Sequence, residues 1–226
     1  MTTDVNTRSQ FDLPTTELAV AADELARSVS PEFIYNHVIR GYLFGREIAA
    51  SMGMRAGVDY DDELVFVASV LHDLGATDHA NGNQRFEVDG ADAAAEFLKS
   101  RGVEPDRVQP VWNAIALHTS DGLCHRFGPT EAVTQMGIGA DIVGRFRDEL
   151  APEFADRVHA AYPRHDLGYA LSGAIADQIH ANPAKMVSPM SFPAHVYQLQ
   201  YPDHATKVTW HDIVDGNGWG DKRIPR

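Results

Sequence analysis

Apolar positions along this chain fall at helical spacing and predict a succession of helices. Leu18, Ala21, Ala22 and Leu25 outline a first one over residues 16–28. Ser30-Pro31-Glu32 reads as the start of a second, with the hydroxyl as N-cap and the proline at the first helical position, where its missing N–H is harmless. Ile34, Val38, Gly41, Gly45 and Ile48 form one stripe of that helix, and His37 lies on the same stripe, so His37 faces inward. The two glycines let another backbone approach. Asp61-Asp62-Glu63 opens a third helix with charge that suits its dipole. From Leu64 to Leu74 this helix is apolar on every side, which predicts a central position in a bundle. Gly75 is the expected C′ residue, putting His72 and Asp73 in the last turn.

After a loop over residues 76–85, Asp89 is the expected N-cap of a helix ending at Lys99-Ser100-Arg101-Gly102. Pro105 begins the next, interrupted or restarted at Pro110, with His118 at its C-terminal end. Pro129-Thr130-Glu131 opens a helix through Val133, Ile138 and Ile142, in which Asp141 sits in apolar company and Gly137, Gly139 and Gly144 mark close approach or a bend. Amphipathic stretches at 152–161 and 166–181 extend the bundle. Beyond Pro183 the composition changes: prolines, Tyr197, Tyr201, Trp210 and Trp219 predict an irregular segment that packs on the domain, covering the site or serving a dimer interface. The expected organisation is all-α: a flexible lead-in at 1–14, a helical domain at 15–182, and an irregular aromatic-rich segment at 183–226.

Composition narrows the function. With 44% hydrophobic and 23% charged residues the chain is ordinary for a globular domain. A net charge of −13 disfavours nucleic acid polymers and anionic membranes as partners, leaving a small-molecule substrate, with a homo-oligomer compatible. The N-terminal stretch lacks signal-peptide character, no run approaches the ~18 apolar residues of a membrane span, and a single cysteine excludes an internal disulfide; a cytoplasmic location is expected. Cys124-His125 reads as a free thiol beside a histidine rather than a nucleophilic pair, because no third orienting group accompanies it.

The His72-Asp73 dipeptide alone says little, since His165-Asp166 and His211-Asp212 repeat it. What distinguishes it is burial at the end of an apolar run, where an unpaired polar group is penalised by roughly 2–7 kcal/mol. His37, His72, Asp73 and Asp141 thus form a His2Asp2 set on converging helices, suited to one divalent transition metal such as Zn, Fe, Mn or Ni. No other cofactor is called for. A metal with an open position supplies hydroxide at neutral pH, and Glu87 and His118, near the metal-bearing helix ends, are the candidate acid/base groups.

The order His37, His72-Asp73, Asp141 resembles the HD-domain metal-dependent hydrolase superfamily over residues 30–145. Within it, Leu71-His72-Asp73-Leu74-Gly75, Arg85-Phe86-Glu87-Val88-Asp89-Gly90-Ala91, Ala116-Leu117-His118-Thr119 and Gly137-Ile138-Gly139-Ala140-Asp141 are similar to the cyanamide hydratase-like branch. That resemblance implies an HD-domain helical bundle, Zn as the metal with those four residues as its ligands, and addition of water to the C≡N bond of a small molecule by a metal-bound hydroxide. The alternative is a phosphohydrolase acting on a nucleotide monophosphate or other phosphoester, with Arg40, Arg85 and Arg126 as members of a cationic clamp. A dinuclear oxygenase using His118 and His125, and a non-catalytic HD binding module, rank below both. A small closed cavity would favour the C≡N substrate, an open groove with two arginines the nucleotide.

Overall fold

The computed structural model describes residues 8–186, 188–205, 208–216 and 218. Its helices are α1 (Glu17–Val29), α2 (Glu32–Ser51), α3 (Asp62–Leu71), α4 (Phe86–Ser100), α5 (Pro105–Leu117), α6 (Pro129–Val143), α7 (Pro152–Ala161), α8 (Leu167–Ala181), α9 (Phe192–Gln200) and α10 (Trp210–Asp215). Single 3-10 turns occur at Leu74–Ala76, Asp78–Ala80, Cys124–Arg126, Arg147–Glu149 and Pro183–Lys185. The described residues contain no strand; an isolated bridge between Ala56 and Tyr60 is their β feature. The fold is an all-α bundle. None of the described helices is long and apolar enough to cross a membrane.

The central helix is α3, as its all-round apolar composition predicts: every residue from Leu64 to Leu71 is buried, and α1, α2, α4, α5 and α6 all pack against it. Asp61 caps it by accepting from the Leu64 N–H.

The most extensive helix pair is α2 with α6, and glycine is the reason. A Cβ on Gly137 would overlap the Gly41 carbonyl oxygen, and one on Gly45 would lie 2.6 Å from the Val133 carbonyl oxygen. The helices therefore cross backbone to backbone in antiparallel register, Gly41 against Gly137 and Gly45 against Val133. One turn further along, the same register brings His37 against Asp141.

Several boundaries differ from the expectation. Of the lead-in expected over 1–14, residues 1–7 lie outside the described residues; of the rest, Phe11 and Leu13 are buried in the core, while Ser9, Gln10 and Asp12 are exposed. Pro31, not Ser30, is the N-cap of α2, and Ser30 ends α1 with its N–H on the Ala26 carbonyl. Asp89 is not an N-cap, because α4 begins three residues earlier at Phe86. Pro110 neither interrupts nor restarts α5.

Gly75 does not end α3 as a left-handed C′ residue. The helix stops at Leu71, His72 is its C-cap, and Asp73 leaves helical geometry at φ −99°, ψ 13°. Gly75 serves instead as a contact point, since any Cβ there would overlap the Phe86 carbonyl oxygen, and one on Gly90 would lie 2.9 Å from the Gly75 nitrogen.

The segment after Pro183 is more regular than its prolines suggest. Ser191 caps α9 through the Ala194 N–H, and α9 packs on α8 with Val196 and Tyr197 in the core. Lys185, 1% exposed, anchors the segment: its Nζ donates to Asp89 Oδ2 at 2.5 Å and to the Gly82 carbonyl at 3.2 Å. Trp219, named with the aromatic tail, lies outside the described residues.

Candidate metal centre

His37 on α2 and His72 with Asp73 at the end of α3 meet in the interior, each no more than 2% exposed. His37 Nε2 lies 3.2 Å from His72 Nε2 and 3.6 Å from Asp73 Oδ2, and His72 Nε2 lies 3.3 Å from Asp73 Oδ2. Two consecutive residues on a regular helix point ~100° apart and could not meet this way. Ending α3 at Leu71 lets Asp73 turn back beside its neighbour.

The tautomers decide what this triangle can hold. His37 Nδ1 faces the Asp141 carboxylate at 2.7 Å and His72 Nδ1 faces the Ser69 carbonyl at 2.7 Å, both acceptors, so in the neutral rings each Nδ1 carries the proton. Both Nε2 atoms then present lone pairs to one another and to Asp73 Oδ2, itself buried without a hydrogen-bond partner. Three acceptors converge with no proton between them. A cation satisfies all three, and ligand bonds of about 2.0–2.1 Å in a tetrahedron place donors about 3.3–3.4 Å apart, close to the separations observed. Among the described residues these are the His, Cys, Asp and Glu side chains that converge in this way. The donor set fits a divalent transition metal.

Electrostatics tell the same story. Burial raises the Asp73 carboxyl, but His72 and His37 outweigh it and hold the group well below the usual carboxylate range. Burial likewise opposes a charged His72, yet Asp73 and the Ser69 carbonyl leave its pKa raised. The pocket favours positive charge beside Asp73.

Asp141, the fourth expected ligand, does not join the triangle. Its Oδ2 accepts from His37 Nδ1 and, at 2.8 Å, from an Arg40 terminal nitrogen; its Oδ1 accepts from Arg40 Nε at 2.8 Å and Arg164 at 2.6 Å. Burial would raise its pKa, but the surrounding His159, His37 and Arg40 hold it well below the ordinary range. The carboxylate sits behind His37 as the partner of its N–H, an arrangement that fixes the ring and increases its basicity toward a metal. The reason is Arg40: fully buried, it forms a bidentate fork with Asp141 and donates its remaining nitrogen to the Tyr162 and Pro163 carbonyls. In sequence Arg40 suggests a member of a substrate clamp, yet its position three residues after His37 puts it one helical turn away, which is the signal for this role.

A cavity of about 160 Å³ lies over the triangle. His37, His72, Asp73 and His118 line it, Phe86, Ile138, Ile142, Val143, Leu171 and Phe192 supply apolar wall, and Thr119, Gln135, Asp121 and Arg145 are its other polar residues. Asp121 and Arg145 pair with one another through both guanidinium nitrogens, and Val143 is largely exposed, which marks the mouth.

His118 lines the cavity. Its ring centroid is 5.0 Å from that of His72, and Nδ1 donates to the Ile115 carbonyl at 2.6 Å, leaving Nε2 as the basic atom. Burial, with His72 nearby, lowers its pKa to about 4. Glu87 does not line the cavity. It is fully buried, held by Arg85 at 2.5 and 3.0 Å, and accepts from the Thr119 hydroxyl at 2.6 Å; it sets the position of Thr119 rather than facing a substrate.

The expected cationic clamp is not assembled. Arg40 is consumed by Asp141, Arg85 by Glu87, and Arg126 is exposed and absent from the lining. His125 is likewise exposed, so it makes no second metal pair with His118 among the described residues. Cys124 is buried, its thiol pushed up to about 12 by burial, which removes it as a nucleophile.

Residues 34–126 match the HD domain family. No curated protein matches this chain. The matched stretch contains His37, His72, Asp73, Glu87 and His118 and ends before α6, so Asp141 lies outside it. HD domains are mostly metal-dependent hydrolases that bind divalent metals, in keeping with the three convergent donors.

Proposed function

We propose that this chain is a metal-dependent enzyme that adds water to a cyanamide-like C≡N group in a small molecule. The observation that supports the reading is the cavity: about 160 Å³, seated on His37, His72 and Asp73, with a largely apolar wall and its one lining guanidinium, Arg145, already paired to Asp121. A phosphate monoester would bring negative charge to a wall that offers it no unpaired cation among the described residues. The same donors suit Zn, Fe, Mn or Ni without ranking them, and Zn is the metal that the resemblance to the cyanamide hydratase-like branch implies.

When bound, the cation would bring the pKa of water down to about 7 and polarise the substrate. Hydration converts water and R–C≡N into R–C(=O)–NH2: a carbon–oxygen double bond forms, the carbon–nitrogen bond becomes single, and both water hydrogens finish on nitrogen. No oxidant or reductant is needed. His118 Nε2 is the atom suited to relay a proton, because its Nδ1–H is committed to the Ile115 carbonyl and the ring lines the cavity. Such transfers contribute about 10²–10⁴ in rate. Thr119, its hydroxyl hydrogen committed to Glu87 and one lone pair accepting from Arg85 at 3.3 Å, has one lone pair left to accept from an N–H of the product. Asp141 and Arg40 keep His37 oriented.

The test is metal analysis of the purified chain beside assays of cyanamide, substituted cyanamides and nucleoside monophosphates. One metal per chain with amide or urea formation is expected. Phosphate release without hydration would replace this reading by the phosphohydrolase, and a retained metal with turnover of none of them would leave a binding module.

A further inference from the structure

The cavity is larger and more apolar than a bare cyanamide needs. An apolar protein cavity of about 150 Å³ accommodates benzene, and the space here is about 160 Å³. Cyanamide has three non-hydrogen atoms and would leave most of that volume in contact with Phe86, Ile138, Ile142, Leu171 and Phe192. These side chains come from α4, α6, α8 and α9, so the wall is built by four helices, with Phe86 and Phe192 ring centroids 6.4 Å apart. The polar lining residues beyond the metal ligands and His118 are Thr119, Gln135, Asp121 and Arg145, and the charged pair among them, Asp121 with Arg145, is internally neutralised. The metal ligands in the lining suit a polar reacting group, and the apolar lining residues suit an uncharged hydrocarbon attached to it.

Resting on the hydration reading above, we infer that the apolar wall is a subsite for an uncharged substituent of about benzene size, and that the substrate is an aryl- or branched-alkyl-substituted C≡N compound. Phe192 gives the segment after Pro183 a part in this recognition, because α9 carries it to the cavity.

The experiment uses the full, Zn-loaded chain with phenylcyanamide and cyanamide, and with phenylurea and methylurea as product-like probes that carry no C≡N. Ile142→Trp, at a half-buried lining position, fills the subsite; Leu171→Ala enlarges it. Wild-type kcat/KM is expected to be at least tenfold higher for phenylcyanamide than for cyanamide, with calorimetric binding of phenylurea at least tenfold tighter than methylurea. Ile142→Trp lowers both ratios at least tenfold, and Leu171→Ala lowers them less. Hydration of cyanamide with no preference for the phenyl compound overturns the subsite and leaves the hydration reading intact. Hydration of neither compound, with phenylurea still preferred and that preference lost in Ile142→Trp, overturns the reaction and supports the subsite. Equal binding of the two ureas overturns the subsite whatever the activity.

Discussion

Replacing Gly137 by alanine tests the link between helix packing and the metal centre. In an exposed helix the change would stabilise by about 1 kcal/mol through helix propensity. Here the new methyl would overlap the Gly41 carbonyl oxygen and lie 2.7 Å from the Gly45 nitrogen, whereas real Cβ contacts essentially never fall below 3.0 Å. Both obstacles are backbone and cannot rotate aside, so α2 and α6 must separate. Overpacking of this kind is worth about 1–3 kcal/mol. Taking the upper end against the propensity gain leaves a net loss of about 2 kcal/mol. For a chain of this size that is a fall in Tm of about 4–8 °C. Separation also lengthens the 2.7 Å contact from Asp141 to His37 Nδ1, and loss of such an orienting partner weakens metal binding by about 10–100-fold. Gly139→Ala is the control on the same helix: its Cβ would meet the flexible Arg145 Cδ at 3.4 Å, so Tm should hold or rise by up to about 4 °C. Differential scanning calorimetry of metal-free protein and competitive Zn titration read the two effects. A Gly137→Ala protein with wild-type Tm and wild-type metal affinity would refute the backbone-to-backbone crossing and the account of the site built on it.

Other outcomes follow from the same geometry. His72→Ala should purify without metal, whereas Asp141→Asn should retain one metal per chain at an affinity reduced about 10–100-fold; a metal-free Asp141→Asn protein would make Asp141 a direct ligand. Lys185→Met leaves Asp89 buried without its cation and should cost about 3–5 kcal/mol in urea denaturation, most of it recovered by adding Asp89→Asn; a wild-type midpoint for the single variant would contradict the burial of the pair. Cys124, fully buried with its pKa raised to about 12, should react with iodoacetamide only after unfolding, and modification of the native protein seen by mass spectrometry would show that the thiol is accessible.

Hydrophobic period made the helices legible, because a buried stripe or an all-apolar run reflects how one helix meets its surroundings. The central place of α3, the inward face of His37 and the approach of another backbone to Gly41 and Gly45 could all be read this way. Helix ends are harder, since they depend on partners distant in sequence: Gly75 reads as a stop signal, yet its lack of a side chain answers to the Phe86 carbonyl. The regularity of α9 was hidden by its prolines, although Pro193 sits in the first turn, where proline is tolerated.

Residue types and their order by themselves determined an all-α chain with a buried His-Asp pair in need of a counter-charge. They also determined which side chains had metal-binding chemistry. Only the tertiary structure decided how those side chains divide their work. Asp141 and Glu87 stand out in sequence for their carboxylates, but a carboxylate's role depends on which cation or hydrogen reaches it first, and here those are Arg40 with His37, and Arg85 with Thr119. The Arg40 fork arises because two glycine-bearing helices cross closely enough to bring α2 and α6 together, a contact between residues 101 positions apart. Local pattern records which face of a helix is buried; it does not record what waits on the other side.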